Sequence, residues 1–224
     1  MIRADPQYVQ SAMVEKEIVK TLNRRDRNDE EGLVRYCHSF AHQDTLCLVF
    51  KPLGPSLHAL LLRNSQGLPP KLVQQILRQL LRSLAFLHRL GYTHTDLKPE
   101  NVLLEGEELR QEGGAWLPKS GKVRLIDFGG ATLFSEPHAP LICTRPYRPP
   151  EVLLDCGEWN ELADVWSLGC LAAELASGEL LFPADNDCEH LLMIEKNCGR
   201  FPAWMIAKTG PRNLRRLFED GRIS

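Results

Sequence analysis

The sequence lacks the features that mark metal-binding, secreted and membrane-spanning proteins. Its seven cysteines form no CxxC pair, and most lie within apolar runs such as residues 46–49, which is typical of buried free thiols in a reducing compartment. The longest apolar stretch, residues 168–182, contains two glutamates and is too short to span a bilayer. No apolar leader follows Met1. We therefore expect a nuclear or cytoplasmic protein with no membrane contact.

The chain also lacks a charge excess and internal repeats. Lys and Arg number 27 against 29 Asp and Glu, which gives a net charge of -2 and excludes a global basic field for nucleic acid. We therefore expect no direct nucleic-acid binding. The 224 residues, 43% of them hydrophobic, are enough to bury a substantial core.

Hydrophobic periodicity predicts a mixed α+β fold. Apolar residues between 70 and 90 recur at i, i+3, i+4 and i+7, which predicts a long helix that Gly91 ends. Further helices are expected at 11–23, 160–177 and 187–197, the last two beginning at N-cap candidates. Strands are expected at 34–39, 45–50, 102–104 and 123–126, the last two joined by a long loop, 105–121. A Pro/Gly break at 52–55 predicts a linker, and the basic tail from Lys208 a loop.

Three motifs follow the long helix in an informative order. His-Thr-Asp-Leu-Lys-Pro-Glu-Asn occupies 94–101, Asp-Phe-Gly occupies 127–129, and Pro-Glu occupies 150–151. This is the order and structural context of the protein-kinase signature set. Each motif alone favours an ordinary turn or cap, but their joint order reverses those odds.

The residue types suit phosphoryl transfer. A substrate hydroxyl is a poor nucleophile, so the carboxylate of Asp96 would orient it and accept its proton. Asn101 and Asp127 supply the oxygen ligands that Mg²⁺ prefers beside a triphosphate. Lys98 can place a positive charge on the transferred phosphoryl group. We therefore predict Asp96, Lys98 and Asn101 as catalytic residues and Asn101 with Asp127 as metal ligands.

Other residues near the motifs keep more than one interpretation. His94 is interpreted as structural because nothing near it in sequence is a nucleophile or a metal ligand. Asp164 is compatible with a simple N-cap. Four residues before Pro150 fit a plain surface loop and a substrate-docking platform equally well. They are Thr144, Arg145, Tyr147 and Arg148.

At residues 94–101 the sequence resembles the LAMMER protein kinases, a branch of the cyclin-dependent-kinase-related group. Glu-His-Leu-Leu-Met-Ile-Glu-Lys at 189–196 is similar to the motif that names them, with departures at Leu192, Ile194 and Lys196. The resemblance implies a bilobal kinase fold, ATP with Mg²⁺, and phosphorylation of Ser/Thr, with Tyr as a further acceptor. It also implies protein substrates, among them Arg/Ser-rich splicing factors.

The resemblance further implies an adenine site and a division of the chain. By position, Glu17 resembles the helix-C glutamate, Phe50 the gatekeeper, Lys51 to Leu53 the adenine-contacting hinge, and Leu103 the pocket floor, flanked by Ile126. Residues 1–51 would then form part of the N-lobe, 52–55 the hinge and 56–224 a mostly helical C-lobe.

Several parts of the kinase pattern have no counterpart in the sequence. No Gly-rich phosphate loop or strand lysine precedes Glu17, and no later helix supplies an arginine for Glu151. Thr95 stands where many kinases have an arginine that contacts a phosphorylated activation loop. We therefore expect a kinase domain cut at both ends. A catalytically inactive interaction module and a truncated gene model are the alternatives.

Overall fold

The computed structural model describes residues 6–42, 45–210, 218–219 and 222–223. Its α-helices are α1 (Pro6–Arg25), α2 (Leu57–Leu61), α3 (Pro70–Arg89), α4 (Pro150–Leu153), α5 (Leu162–Ser177), α6 (Asp187–Cys198) and α7 (Ala203–Lys208). Its strands are β1 (Tyr36–His42), β2 (Thr45–Phe50), β3 (Tyr92–Thr93), β4 (Val102–Leu104), β5 (Leu109–Glu112), β6 (Ala115–Pro118), β7 (Val123–Leu125), β8 (Thr132–Leu133), β9 (Phe218–Glu219) and β10 (Arg222–Ile223).

A small N-terminal layer consists of α1 and the antiparallel β1–β2 hairpin. α1 is longer than the predicted 11–23, and its inner face buries Ile18, Val19 and Leu22. The Asn23 side chain then ties the helix end to the hairpin, donating to the Val34 carbonyl at 2.9 Å and accepting from Tyr36 N at 2.9 Å. These contacts fix the orientation of α1.

The larger layer is built around α3, as its periodicity predicts. Val73, Ile76, Leu80, Leu84 and Leu87 are buried. Burying each such aliphatic side chain contributes about 1.5–3 kcal/mol as an upper estimate. α3 packs against α5, and together they support the segment that carries the motifs.

The β4–β7 pair is antiparallel, as predicted, but residues 105–121 are not a plain loop. They contain the β5–β6 hairpin, which turns at Gly113 and Gly114, both with positive φ (57° and 86°). A two-residue turn with φ > 0 at both positions matches the right-handed twist of paired strands, and glycine adopts it without strain. The hairpin is held to the body by Asn64, which bonds both the N–H and the carbonyl of Trp116.

The two layers are joined by a buried cation on β7. The Arg124 guanidinium pairs with Asp29, in the loop after α1, and with Glu105, after β4. It also donates to the Leu33 carbonyl at 3.1 Å. The boundaries 1–51, 52–55 and 56–224 remain a prediction.

Two predictions near the C-terminal end are modified. The N-cap of α6 is Asn186, whose side chain accepts from Glu189 N at 2.9 Å, rather than Asp187. The predicted loop from Lys208 contains the β9–β10 pair, and 211–217, 220–221 and 224 lie outside the described residues. Over the part of the chain that is described, no helix is both long and apolar enough to cross a bilayer.

Candidate active site

Asp96 lies between β3 and β4, on the loop that ends in the 3₁₀ turn Pro99–Asn101. Lys98 Nζ donates to its Oδ2 at 2.7 Å, and Thr144 donates to its Oδ1 through Oγ1 at 2.7 Å and N at 3.1 Å. Asn101 Nδ2 donates to the Asp96 carbonyl at 2.9 Å. The three predicted catalytic residues are therefore together, with Thr144 as a fourth member.

The electrostatic environment keeps Asp96 ionised. Partial burial by itself raises the pKa of this carboxyl, but the hydrogen bonds from Lys98 and Thr144, together with the Lys98 charge, outweigh burial and lower the pKa below its usual value. A carboxylate of low pKa is a weak base, so it suits a role in orienting a hydroxyl and accepting its proton late.

Asp164, in the first turn of α5, anchors the loop that carries Asp96. Its fully buried carboxylate accepts from His94 N at 2.8 Å and Thr95 N at 2.9 Å, and it also bonds His88 Nε2 at 2.9 Å. Asp164 is thus a tertiary anchor for the loop and not only an N-cap candidate. Thr95 has a left-handed φ of 70°, a conformation that such an anchor can stabilise.

His94 has the structural role that its sequence context predicts. Its ring is fully buried and meets the Phe128 ring edge-on at 5.2 Å. Nδ1 accepts from Asp96 N at 3.3 Å, so Nε2 carries the proton and donates to the Ile126 carbonyl at 3.0 Å. His94 therefore connects the Asp96 loop to the segment that leads into Asp127.

Asp127 lies at the end of β7 with an exposed side chain and a left-handed φ of 62°. Its Oδ1 accepts from Gly129 N at 3.3 Å, and Phe128 beside it is fully buried. Ile126 N donates to the Asn101 carbonyl at 2.9 Å. The two predicted metal ligands thus flank a pair of adjacent strands, because Asn101 directly precedes β4 and Asp127 follows β7.

The donor chemistry of Asn101 and Asp127 fits Mg²⁺. The Asn101 amide nitrogen is occupied by Asp96, so the amide oxygen is left to act as a ligand, and Asp127 adds a carboxylate. Within the described residues no group of three or more His, Cys, Asp or Glu side chains could hold a metal ion. A Mg²⁺ ion here would therefore share its ligands with nucleotide phosphates, as is usual for this ion.

The structure corrects the prediction for Glu17. The Glu17 side chain is 60% exposed and pairs with Lys20 at 3.0 Å on the outer face of α1. Glu15 instead faces the Asp-Phe-Gly motif: burial raises its pKa, the Asp127 charge raises it further, and a hydrogen bond from the Phe128 backbone lowers it. Glu15 is the helix glutamate that reaches the site.

The residues predicted to contact adenine lie near the junction of the two layers. Phe50, Leu53 and Ile126 are partly buried against the same main core. Leu103 is partly buried on β4, where it bridges to Ser56. Lys51 has an exposed side chain.

The backbone of the hinge leaves groups available for a ligand. Lys51 N donates to the Arg35 carbonyl at 2.8 Å, and Gly54 N donates to the Leu104 carbonyl at 2.8 Å. Between them, Leu53 N–H and the Lys51 carbonyl make no backbone hydrogen bond to any described residue. One donor and one acceptor on one short extended segment can pair with an adenine edge.

The segment before Pro150 is fixed by buried side chains. Tyr147 donates its hydroxyl to Glu174 at 2.6 Å. Arg148 donates to the Ile142 carbonyl through Nε and to the Cys143 carbonyl through Nη2, both at 2.9 Å. Tyr147 and Arg148 are thus internal supports and not surface residues.

Comparison with known proteins matches residues 3–213 to the protein kinase domain. The chain belongs to the protein kinase family. Serine/threonine-protein kinase AFC1 of Arabidopsis thaliana is 39% identical over 95% of this chain and 48% of its own length. Dual specificity protein kinase lkh1 of Schizosaccharomyces pombe is 37% identical over 99% of this chain and 33% of its length. Dual specificity protein kinase CLK1 of Homo sapiens is 36% identical over 96% of this chain and 45% of its own length.

A solved kinase-domain crystal structure shares the fold. It superposes with a TM-score of 0.89 at 36% identity, covering 96% of this chain and 66% of the other. The predicted kinase fold and the resemblance to LAMMER-type kinases are therefore confirmed. The kinase chain spans about half or less of the length of the curated relatives named above.

Glu151 of the kinase domain is partly buried at the start of α4. Burial raises the pKa of its carboxyl, and no ion pair to it occurs among the described residues. It lines an open groove of about 930 Å³ with Trp159, Trp166, Phe182 and Trp204. No residue of the catalytic loop, 94–101, lines this groove.

Proposed function

We propose that this kinase domain transfers the γ-phosphoryl group of ATP to hydroxyl groups of protein substrates, on Ser and Thr with Tyr as a further acceptor. The observation that carries the proposal is that Lys98, Asn101 and Thr144 all lie within hydrogen-bond distance of Asp96. Asp127 follows β7, the strand paired with β4. The similarity to serine/threonine and dual-specificity kinases supports it, and the inactive-module alternative is not favoured.

Asp96 would accept a hydrogen bond from the substrate hydroxyl and take its proton as the new oxygen–phosphorus bond forms and the bond to ADP breaks. The Lys98 ammonium, bonded to both Asp96 and Thr144, lies where it can stabilise negative charge on the transferred group. Asn101 and Asp127 would hold Mg²⁺, which when bound neutralises triphosphate charge. Phe50, Leu53, Leu103 and Ile126 would enclose the adenine.

For substrates we propose basic protein segments, Arg/Ser-rich splicing factors among them, in the nucleus or the cytoplasm. The family resemblance supports this class. So does Glu100, which lies in the catalytic loop with its side chain 47% exposed and with a 3.9 Å contact to His58 as its one ion pair among the described residues. A carboxylate beside the catalytic loop favours arginine near the phosphoacceptor.

The test compares residues 1–224 with a version extended upstream to include a Gly-rich loop and a strand lysine. Both are assayed for Mg-ATP binding, for phosphoryl transfer to Arg/Ser-rich and acidic peptides, and for thermal unfolding. Transfer by the extended version that is lost in Asp96→Asn, with nucleotide binding retained, supports the proposal. Binding without any transfer by the extended version would refute it.

A further inference from the structure

The activation segment, defined here as residues 127–151, is anchored to the large layer at a site remote from Asp96. The anchor is Trp159, in the loop between α4 and α5. Its Nε1–H donates to the Ala139 carbonyl at 2.8 Å. Its ring stacks on the His138 ring with a centroid distance of 4.1 Å and an interplanar angle of 16°. One side chain thus holds two consecutive residues of the segment.

Trp159 is itself held rigidly. It is only 7% exposed and belongs to a separate apolar cluster with Ile142, Cys143, Val152 and Ala163. Two of these neighbours, Ile142 and Cys143, come directly before Thr144 in the chain. Trp159 therefore contacts the segment directly at residues 138–139 and shares an apolar cluster with the two residues that lead into Thr144.

The backbone of residues 142–143, which lead into Thr144, includes an uncommon conformation. Cys143 has a left-handed φ of 61°, which is uncommon for a residue with a side chain and persists only where surrounding contacts fix it. Cys143 N donates to the Thr95 carbonyl at 2.9 Å. The next residue, Thr144, places both its N–H and its hydroxyl on Asp96. A shift of 142–143 would consequently move two of the hydrogen bonds that Asp96 receives.

The hydrogen bonds that Trp159 Nε1, Cys143 N and the Thr95 hydroxyl donate here all end on backbone carbonyls, which carry no charge. Thr95 replaces a cation in the catalytic loop, and its hydroxyl donates to the Gly130 carbonyl at 2.8 Å. The segment is thus fixed at its start by Thr95 and at its middle by Trp159, and neither contact uses a phosphate group.

We propose that Trp159 is a positioning residue for phosphoryl transfer: through His138, Ala139 and the 142–143 turn it holds Thr144 against Asp96. The proposal rests on the proposed function for its kinetic consequence. It predicts that loss of the contacts of Trp159 with His138 and Ala139 lowers phosphoryl transfer to peptide and leaves nucleotide binding unchanged. The reason is that the described contacts of Trp159 lie in the activation segment and its supports, away from the hinge.

The test uses the extended version with Trp159→Phe, which keeps an aromatic ring and loses the N–H, and with His138→Ala and His138→Phe. We expect Trp159→Phe and His138→Ala each to lower kcat/KM for peptide on the order of tenfold, since each loses one of the two fixing contacts. KM for ATP should stay unchanged. His138→Phe can still stack and should retain most of the activity. Trp204→Phe, 58% exposed in the neighbouring groove, is the matched control.

Amide hydrogen exchange at Cys143 and Thr144 provides a readout independent of activity. Faster exchange there in Trp159→Phe, with an unchanged midpoint of thermal unfolding, supports the proposal. Unchanged exchange and unchanged peptide kcat/KM would overturn it, as would equal losses in ATP affinity and thermal stability, which indicate a merely structural role. If the unsubstituted protein transfers no phosphoryl group, the proposed function fails. The exchange measurement then still shows whether Trp159 fixes Cys143 and Thr144.

Discussion

A peptide substrate is predicted to be phosphorylated faster when the residue directly after the phosphoacceptor lacks a backbone N–H group. The residue after the phosphoacceptor must lie close to Thr144, because the acceptor hydroxyl is bound at Asp96 and consecutive Cα atoms are about 3.8 Å apart. The backbone carbonyls that this residue could meet are already used. They are the carbonyls of Ile142 and Cys143, bonded by Arg148, of Thr144, bonded by Tyr147 N, and of Arg145, bonded by Arg148 N.

A substrate N–H that enters this region loses water and meets carbonyls that each already accept a hydrogen bond, so it competes with an internal donor. Leaving such a donor unpaired costs about 1–3 kcal/mol, or roughly 5- to 150-fold in rate. Thr144 is exposed, so water partly reaches the region and we expect the lower part of this range, about tenfold. Proline has no N–H and avoids the cost. The kinase should therefore prefer proline directly after the phosphoacceptor.

The assay measures kcat/KM for three peptides that differ only at this residue: alanine, N-methylalanine and proline. N-methylalanine lacks the N–H but has no ring, so it separates the hydrogen-bond effect from ring shape. We expect N-methylalanine and proline to be similar and both to exceed alanine. Arg148→Lys, which cannot bond both carbonyls with a planar fork, should reduce the difference. Equal rates for alanine and N-methylalanine would refute the reasoning.

Three further predictions concern individual side chains. In the extended version, Glu15→Gln should lower kcat/KM for ATP by more than about tenfold, because Glu15 is the helix carboxylate that faces the site and would pair with the strand lysine, and a lost charged partner costs more than about 1.4 kcal/mol, whereas Glu17→Gln should have no effect; steady-state kinetics with ATP varied will show either result. Thr144→Val removes a donor that lowers the pKa of Asp96, so the acid limb of kcat/KM should move to higher pH in a pH–rate profile, and an unmoved limb would contradict the assignment of Asp96 as the base. His190 is fully buried without a hydrogen-bond partner among the described residues, and burial lowers its pKa from 6.5 to about 4. Because the unfolded chain binds this proton more tightly, stability should fall as pH drops from 6.5 towards 4, by roughly 3 kcal/mol in total; urea titrations at several pH values should show a smaller loss for His190→Phe.

The difference between Glu15 and Glu17 shows what sequence position alone leaves undecided. Successive residues of an α-helix are about 100° apart, so two glutamates separated by one residue point in nearly opposite directions. A position inferred by counting residues from a motif can be wrong by two, and in a helix such an error places the side chain on the opposite face. The deciding signal was present, since Glu15 precedes the buried Val19 and Leu22 by four and seven residues and shares their face.

The β5–β6 hairpin was missed for a related reason. The first strand is mostly polar and exposed, and the second is an unbroken apolar run that ends in proline, so neither has the alternating pattern that predicts a half-buried strand. Gly113 and Gly114 were a signal for a two-residue turn. The fixation of the hairpin by Asn64, 52 residues from Trp116, depends on tertiary packing and could not be predicted locally.

Periodicity predicted the existence of α3 correctly but overestimated the width of its buried face. Leu81 satisfies the helical pattern and is nevertheless 52% exposed. Apolar residues are common on protein surfaces, so an apolar position in a pattern gives the helix phase more reliably than it gives the burial of each residue.

The catalytic loop itself was predictable because its residues are adjacent in sequence, whereas its shape depends on distant groups. Asp164 comes 69 positions after Thr95 and fixes two consecutive N–H groups of the loop from a fully buried position. Thr144 comes 48 positions after Asp96 and, together with Lys98, lowers the pKa of its carboxyl. A short motif therefore identifies the reacting groups, and the long-range contacts determine whether those groups meet in a reactive geometry. In this kinase domain the Asp96 loop is fixed by α5 on one side and by the activation segment on the other, so the orientation of Asp96 should depend on the conformation of that segment.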